Sequence, residues 1–282
     1  MSPKPPTSVG LLQSRMHTVA QAQGTSPARI QVVIGTTALA QMMPACAVKG
    51  GTAMKFRFGG ATRFTRDLDV ARAADAATFR QELQDSLRAG WGDFTGTLAE
   101  ARAKPAPAGI PLAYVMKPFD VKLAYRGRSF MTVPLEVGHD EIGDTADAEL
   151  ALAPDIQSLF ETLGLLIPEP VPVLATHHQV AQKLHACTAV GSERAHDLVD
   201  LQILIEHDKQ RPLDLPVTRR AAARLFSSRH AHAWPPAITP RPGWEPLYQE
   251  AAQGMPVRPN LDDACAWGNA LIQRIDAAPK ES

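Results

Sequence analysis

The 282-residue chain is predicted to be α+β, with helices and a sheet forming a core over residues 1–150 and a mainly helical lobe over 151–282. Three observations carry this. Asp67-Leu68-Asp69-Val70 alternates acid with apolar residue, the period of a half-buried strand. Phe119 to Tyr125 and Ser129 to Val137 read as two further strands joined by a tight turn at Arg126-Gly127. From about Asp155 the apolar residues fall at helical spacing instead. The length suffices to bury a sizeable core in two lobes.

In chain order, residues 1–8 are proline-rich and expected to fray. Leu12, Met16 and Val19 place a helix over Leu11 to Gln23, ending near Gly24. Ser26 is positioned to cap a second helix, Pro27 suits its first turn, and Ile30, Val33, Ile34 and Leu39 form its apolar face before Pro44 stops it. After Gly50-Gly51 a helix is expected to start at Thr52. Ala76 to Ala89 is amphipathic through Phe79, Leu83 and Leu87, and Ala101 to Gly109, rich in alanine and proline, reads as a loop. Ile156 to Leu166 is helical, Pro168 to Pro172 a hinge, and Thr176-His177-His178-Gln179 has the form of a capping box with Thr176 as cap. Val180, Leu184 and Cys187 stripe that helix, and a further helix follows through Asp197 to Ile205. Helices interrupted at Trp234-Pro235-Pro236 and Pro242-Gly243-Trp244 are expected over Arg219 to Ile275.

The chemistry concentrates at Lys49-Gly50-Gly51-Thr52 and Asp67-Leu68-Asp69. On a strand, Asp67 and Asp69 leave the same face. Carboxylates this close repel unless a cation sits between them or one takes up a proton, and hard oxygen donors suit Mg²⁺. A Gly-Gly-Thr turn lets backbone N–H groups approach phosphate oxygens, and a helix start adds further donors. A metal site beside a phosphate cradle points to nucleotide chemistry. Glu136 shares strand parity with Thr132 and Pro134, opposite Val133, Leu135 and Val137, so it can look across at the Asp67/Asp69 face; Pro134 implies an edge strand or a bulge.

The order Lys-Gly-Gly-Thr-Ala, then Arg63-Phe64-Thr65-Arg66-Asp67-Leu68-Asp69, resembles the first motif of the AbiEii-like nucleotidyltransferase family, which includes the MenT toxins and belongs to the polymerase-β-like superfamily. Fifteen residues separate Gly51 from Asp67, a longer gap than the superfamily's, so Arg57 to Thr62 is expected to form an elaborated loop. Ala181-Gln182-Lys183-Leu184-His185-Ala186 and Arg194-Ala195-His196-Asp197-Leu198-Val199-Asp200-Leu201 are similar to its second motif, with Gln182 where many relatives have glutamate.

This resemblance implies a mixed-sheet nucleotidyltransferase core and a helical C-terminal lobe, with a nucleoside triphosphate (NTP) as substrate held between them. It implies one or two Mg²⁺ on Asp67, Asp69 and Glu136. Gly50, Gly51, Thr52, Arg66 and Lys183 would contact the nucleotide, and Asp197 or Asp200 would support Lys183 in the catalytic set. Arg63 would help fix nucleotide or acceptor. The acceptor implied is the tRNA 3′ end, the role that of a toxin, and a further partner its cognate antitoxin. Transfer to a protein or small molecule, or NTP binding with little turnover, would use the same site.

Formal net charge is zero, with 29 basic and 29 acidic residues, so a nucleic acid needs a local basic patch. Arg219, Arg220, Arg224, Arg229 and Arg241 supply one candidate. His177, His178 and His185 lack a ligand spacing for zinc. Three scattered cysteines read as reduced thiols, no apolar run is long enough for a membrane span, and the N-terminus lacks a signal-peptide core, so a cytoplasmic location is expected.

Overall fold

The computed structural model describes residues 3–101, 117–207 and 212–279. The chain divides into two compact units, Met1–Gly59 with Phe64–Val173, and Gly60–Arg63 with Leu174–Ser282. Residue 150 lies inside a strand of the first unit, which runs on to Val173. The expected loop over 101–109 falls, apart from Ala101, outside the described residues.

The first unit is built on a seven-stranded mixed sheet of β1 (Ala47–Lys49), β2 (Leu68–Arg72), β3 (Phe94–Glu100), β4 (Lys117–Tyr125), β5 (Arg128–His139), β6 (Glu149–Ala151) and β7 (Val171–Val173), ordered β3-β4-β5-β2-β1-β7-β6. β5–β2 and β1–β7 are parallel and the other neighbours antiparallel. Alternation explains the central strands: Val133, Leu135 and Val137 are buried while Thr132 and Pro134 are exposed. Each inward aliphatic side chain contributes about 1.5–3 kcal/mol by leaving water.

Helices α1 (Val9–Ala22) and α2 (Pro27–Gln41) open the chain, each capped by a serine hydroxyl, Ser8 accepting from Leu11 N and Ser26 from Arg29 N. The second half of α2, Ile34 to Ala40, is buried, so the single apolar face expected there closes round the helix. Gly35 is one reason, since a Cβ there would overlap the Met131 side chain of β5. α3 (Gly50–Phe58) starts two residues before the expected Thr52, and α4 (Ala76–Ala89) is capped by Asp75. α5 (Pro154–Leu163) ends on left-handed Gly164.

Several expectations are corrected. Pro134 lies in a central strand, between β4 and β2, and the bulge lies at Leu123/Ala124 instead. The strand tolerates it because pairing with β2 begins only at Leu135. The long gap after Gly51 is not an elaborated loop but the rest of α3 followed by a 3₁₀ turn at Gly59–Ala61. The Pro168–Pro172 hinge becomes β7 at Val171, since two buried valines flanking an exposed proline pair with β1 and β6. The N-terminus is tied down: Pro6 is buried and its carbonyl accepts from Tyr125 Oη at 2.8 Å, while Arg15 donates to the carbonyls of Lys4 and Leu163 at 2.8 and 2.7 Å.

The second unit contains α6 (Thr176–Thr188), α7 (His196–Glu206), α8 (Leu215–Arg229), α9 (Trp244–Ala252) and α10 (Leu261–Asp276). Thr176 is not the cap of α6 but its first residue; Ala175 occupies the cap position, and Gln179 Nε2 donates to the Leu174 carbonyl at 2.7 Å. Buried Gln202 ties α7 to α9, donating to Tyr248 Oη at 3.1 Å and accepting from Arg258 N at 2.8 Å. Trp244 Nε1 donates to the Ser192 carbonyl at 2.7 Å. No helix among the described residues is long and apolar enough to cross a membrane.

Candidate active site

In the first unit the register does the positioning. Lys49 of β1 pairs with Asp69 of β2, and Asp69 pairs with Glu136 of β5. Registered residues on neighbouring strands, about 4.8 Å apart, leave the sheet on the same side. Lys49, Asp69 and Glu136 therefore form one row across three strands, and all three are half-buried. Asp67 lies one residue before β2, also half-buried.

The β1–α3 junction is built against this row. Gly50 has φ 65°, and a Cβ there would collide with Asp69 Oδ2, so only glycine combines this backbone with that carboxylate. A Cβ on Gly51 would meet Thr65 Cβ at 3.1 Å. Thr52 Oγ1 donates to the Asp67 carbonyl at 2.5 Å, and Thr65 Oγ1 donates to Asp67 Oδ1 at 2.5 Å. Thr52 and Thr65 thus fix both backbone and carboxylate of Asp67. No side chain caps the first turn of α3, so Gly50, Gly51 and Thr52 form its positive end.

Whether these residues fit Mg²⁺ can be judged from the donor set. Asp67, Asp69 and Glu136 supply hard oxygens, and Lys49 alone among the row offsets their charge. Three carboxylates against one ammonium leave a negative site that favours a divalent cation. They fit.

Gly50→Ala is expected to cost about 1–3 kcal/mol through the positive φ and to displace the Asp69 carboxylate. Urea unfolding measures the first effect; an unchanged midpoint would show that the turn relaxes freely.

The second unit holds the other sequence-selected residues. Lys183 Nζ on α6 donates to Asp197 Oδ1 at 3.1 Å and Asp200 Oδ2 at 2.7 Å, both on α7. The two aspartates are three residues apart on one helical face, and both are 0% exposed. They are not surface charges. Arg63 grips Asp200 through Nε at 3.0 Å and Nη2 at 3.1 Å, and Arg194 Nε donates to Asp197 at 2.8 Å. Burial by itself would raise both carboxyls, but Lys183, with Arg194 at Asp197 and Arg63 at Asp200, holds them well below the usual range. Burial would conversely lower Lys183, and the two aspartates raise it instead. His196 is pushed down to about 4, by burial first, and stays neutral at pH 7.

Sequence reasoning puts Arg63 beside the Asp67/Asp69 acids as a nucleotide or acceptor contact; the structure commits it to Asp200. Thr65 and Lys49 enter that reasoning only as motif letters. Parity could have found Thr65, which stands two residues before Asp67. Lys49 needed the β1–β2 register. Arg66 is exposed and stacks on Phe64, its Cζ 5.6 Å from the ring centre.

A mixed-sheet core carrying a glycine-bounded helix start and a row of acids, with a helical second unit, defines the chain as a nucleotidyltransferase. Residues 35–269 match the family described as nucleotidyl transferase AbiEii toxin, type IV toxin–antitoxin system, and the chain belongs to that family. The fold is similar to that of MenT4, a nucleotidyltransferase toxin from Mycobacterium tuberculosis H37Rv, with a TM-score of 0.59 and 15% identity over 97% of this chain and 91% of the other. A protein of H. pylori assigned as a nucleotidyltransferase aligns with a TM-score of 0.43 and 14% identity over 86% of this chain and 91% of its own. No curated protein matches the chain.

Proposed function

We propose that the chain is a Mg²⁺-dependent enzyme that moves a nucleoside monophosphate from an NTP to an acceptor hydroxyl, the tRNA 3′ end, as the toxin paired with a cognate antitoxin. The observation carrying this reading is the Asp69–Glu136 register pair with Gly50 closed against the Asp69 carboxylate. In the reaction the acceptor oxygen bonds to the α-phosphorus, the bond to the β-phosphate bridge oxygen breaks, pyrophosphate leaves, and the acceptor proton passes to solvent. Bound Mg²⁺ would supply charge neutralisation at the phosphates, held by Asp67, Asp69 and Glu136. The uncapped first turn of α3 offers N–H groups to phosphate oxygens. Thr65 keeps Asp67 Oδ1 in place, leaving its other oxygen available. Lys183 has three N–H groups and uses two on Asp197 and Asp200, which leaves one for a phosphate oxygen. Arg66 adds a cation beside the acids.

Incubation with Mg²⁺, each α-labelled NTP and total cellular RNA, beside the Asp67→Ala/Asp69→Ala variant, tests the reading. Label on tRNA-sized RNA that is absent with the variant is expected. Label on protein or small molecules would change the acceptor, and no label anywhere would leave NTP binding alone.

A further inference from the structure

Two arginines share one aromatic ring immediately before the acids. Arg29 Cζ lies 5.0 Å and Arg66 Cζ 5.6 Å from the centre of the Phe64 ring, and both arginines are exposed. Neither is paired with an acid among the described residues. Lys55 is a third cation close enough to act on Arg29; burial lowers it first, Asp155 raises it and Arg29 lowers it further. Asp155 acts on Lys55, while Arg29 and Arg66 lie as like charges over one ring, an arrangement that an anion beside them would favour.

Arg29 stands in the first turn of α2, where its backbone N–H donates to Ser26 Oγ at 3.2 Å, and that turn carries no acidic residue. A cation there opposes the helix dipole, so the α2 terminus itself gives no reason for an arginine at this position. Over the Phe64 face Arg29 carries a planar fork of donors, a geometry suited to two oxygens of one phosphate. Phe64 adjoins Thr65, whose hydroxyl holds Asp67.

We propose that Arg29 and Arg66, stacked on Phe64, form a clamp for a phosphate group of a substrate entering the Asp67/Asp69 site. This deepens the transfer reaction proposed above and rests on it for the identity of the substrate. Arg29 lies before residues 35–269, so the clamp recruits a side chain outside the stretch matched to the family. The phosphate belongs either to the triphosphate of the NTP or to the backbone of the acceptor RNA, which share the same oxygens.

The test uses the full chain with Arg29→Ala, Arg29→Lys and Phe64→Leu, titrated without Mg²⁺ with inorganic tripolyphosphate and, separately, with a short single-stranded RNA. Arg29→Ala is expected to weaken one of the two by about tenfold, the loss of a charge-assisted hydrogen bond, with an unchanged melting temperature. Arg29→Lys should lose less, and Phe64→Leu should weaken the same probe. Loss confined to tripolyphosphate assigns the clamp to the NTP, and loss confined to RNA assigns it to the acceptor. Equal binding by wild type and Arg29→Ala, or no binding of either probe by wild type, overturns the proposal. Weakened tripolyphosphate binding in a protein that transfers no nucleotide would keep the clamp and reject the transfer reading, so the two fail separately.

Discussion

Asp69→Ala is expected to reduce nucleotidyl transfer by roughly a thousandfold or more, about 4 kcal/mol of barrier, while leaving the fold intact. Asp69 is the centre of the Lys49–Asp69–Glu136 row, and its carboxylate is the group Gly50 lacks a side chain to accommodate. Its removal takes one charge from a set of three half-buried acids, and the relief of repulsion offsets what the side chain contributed to packing. The melting temperature without metal should therefore change little. Any stabilisation that MgCl₂ gives the wild type should disappear, because a ligand stabilises only the state that binds it. Retained transfer, or an undiminished response to MgCl₂, would remove Asp69 from the proposed metal site.

Asp200→Ala should destabilise the fold more than Gly50→Ala or Asp69→Ala. Asp200 is fully buried and receives both Lys183 and the forked Arg63 guanidinium, so alanine leaves these two cations, with Arg194, facing Asp197 alone. Breaking a buried pair from one side costs about 3–5 kcal/mol, or roughly 10 °C in melting temperature for a chain of this size. The pH dependence follows from the directions of the shifts. Asp197 and Asp200 are depressed below the unfolded carboxylate value, so their contribution is present above about pH 4 and is lost as pH falls toward their folded values. Lys183 is raised, so its contribution is present below about pH 10 and is lost as pH rises through its folded value. The gap in melting temperature between wild type and Asp200→Ala should stay flat from about pH 5 to 9 and narrow in acid. A gap under about 1 °C at pH 7 would show that solvent reaches the network.

The same network affects how lysine variants are read. Lys183→Ala is expected to weaken triphosphate use, measured as a raised KM for NTP. It also leaves Asp197 and Asp200 facing each other with only the two arginines, so a melting curve must accompany the kinetics. An unchanged KM in a folded variant would make Lys183 structural.

Local pattern made much of this chain legible. The cap at Ser26 and the breaks at Gly24 and Pro44 bounded α1 and α2 because helix ends are set by neighbouring residues. The parity of Asp69 and Glu136 was readable because side chains alternate along a strand. Strands of three residues were not: Ala47–Lys49, Glu149–Ala151 and Val171–Val173 are too short to show a period, and only pairing partners make them strands. Pro134 misled for a related reason, since whether a missing N–H matters depends on which neighbour lies beside it.

Short stretches and residue chemistry were enough to set the α+β class, the helical second half and the acids and glycines of the motif, while only the family resemblance tied Lys183 to an acid, Asp197 or Asp200, of the next helix. Folding in three dimensions settled the rest: that Lys49, Asp69 and Glu136 share one row, that Asp197 and Asp200 are buried, that Arg63 serves Asp200, and that Arg29 and Arg66 both lie over Phe64. Those facts depend on strand register and on pairings between residues as much as 137 positions apart, which no local periodicity encodes.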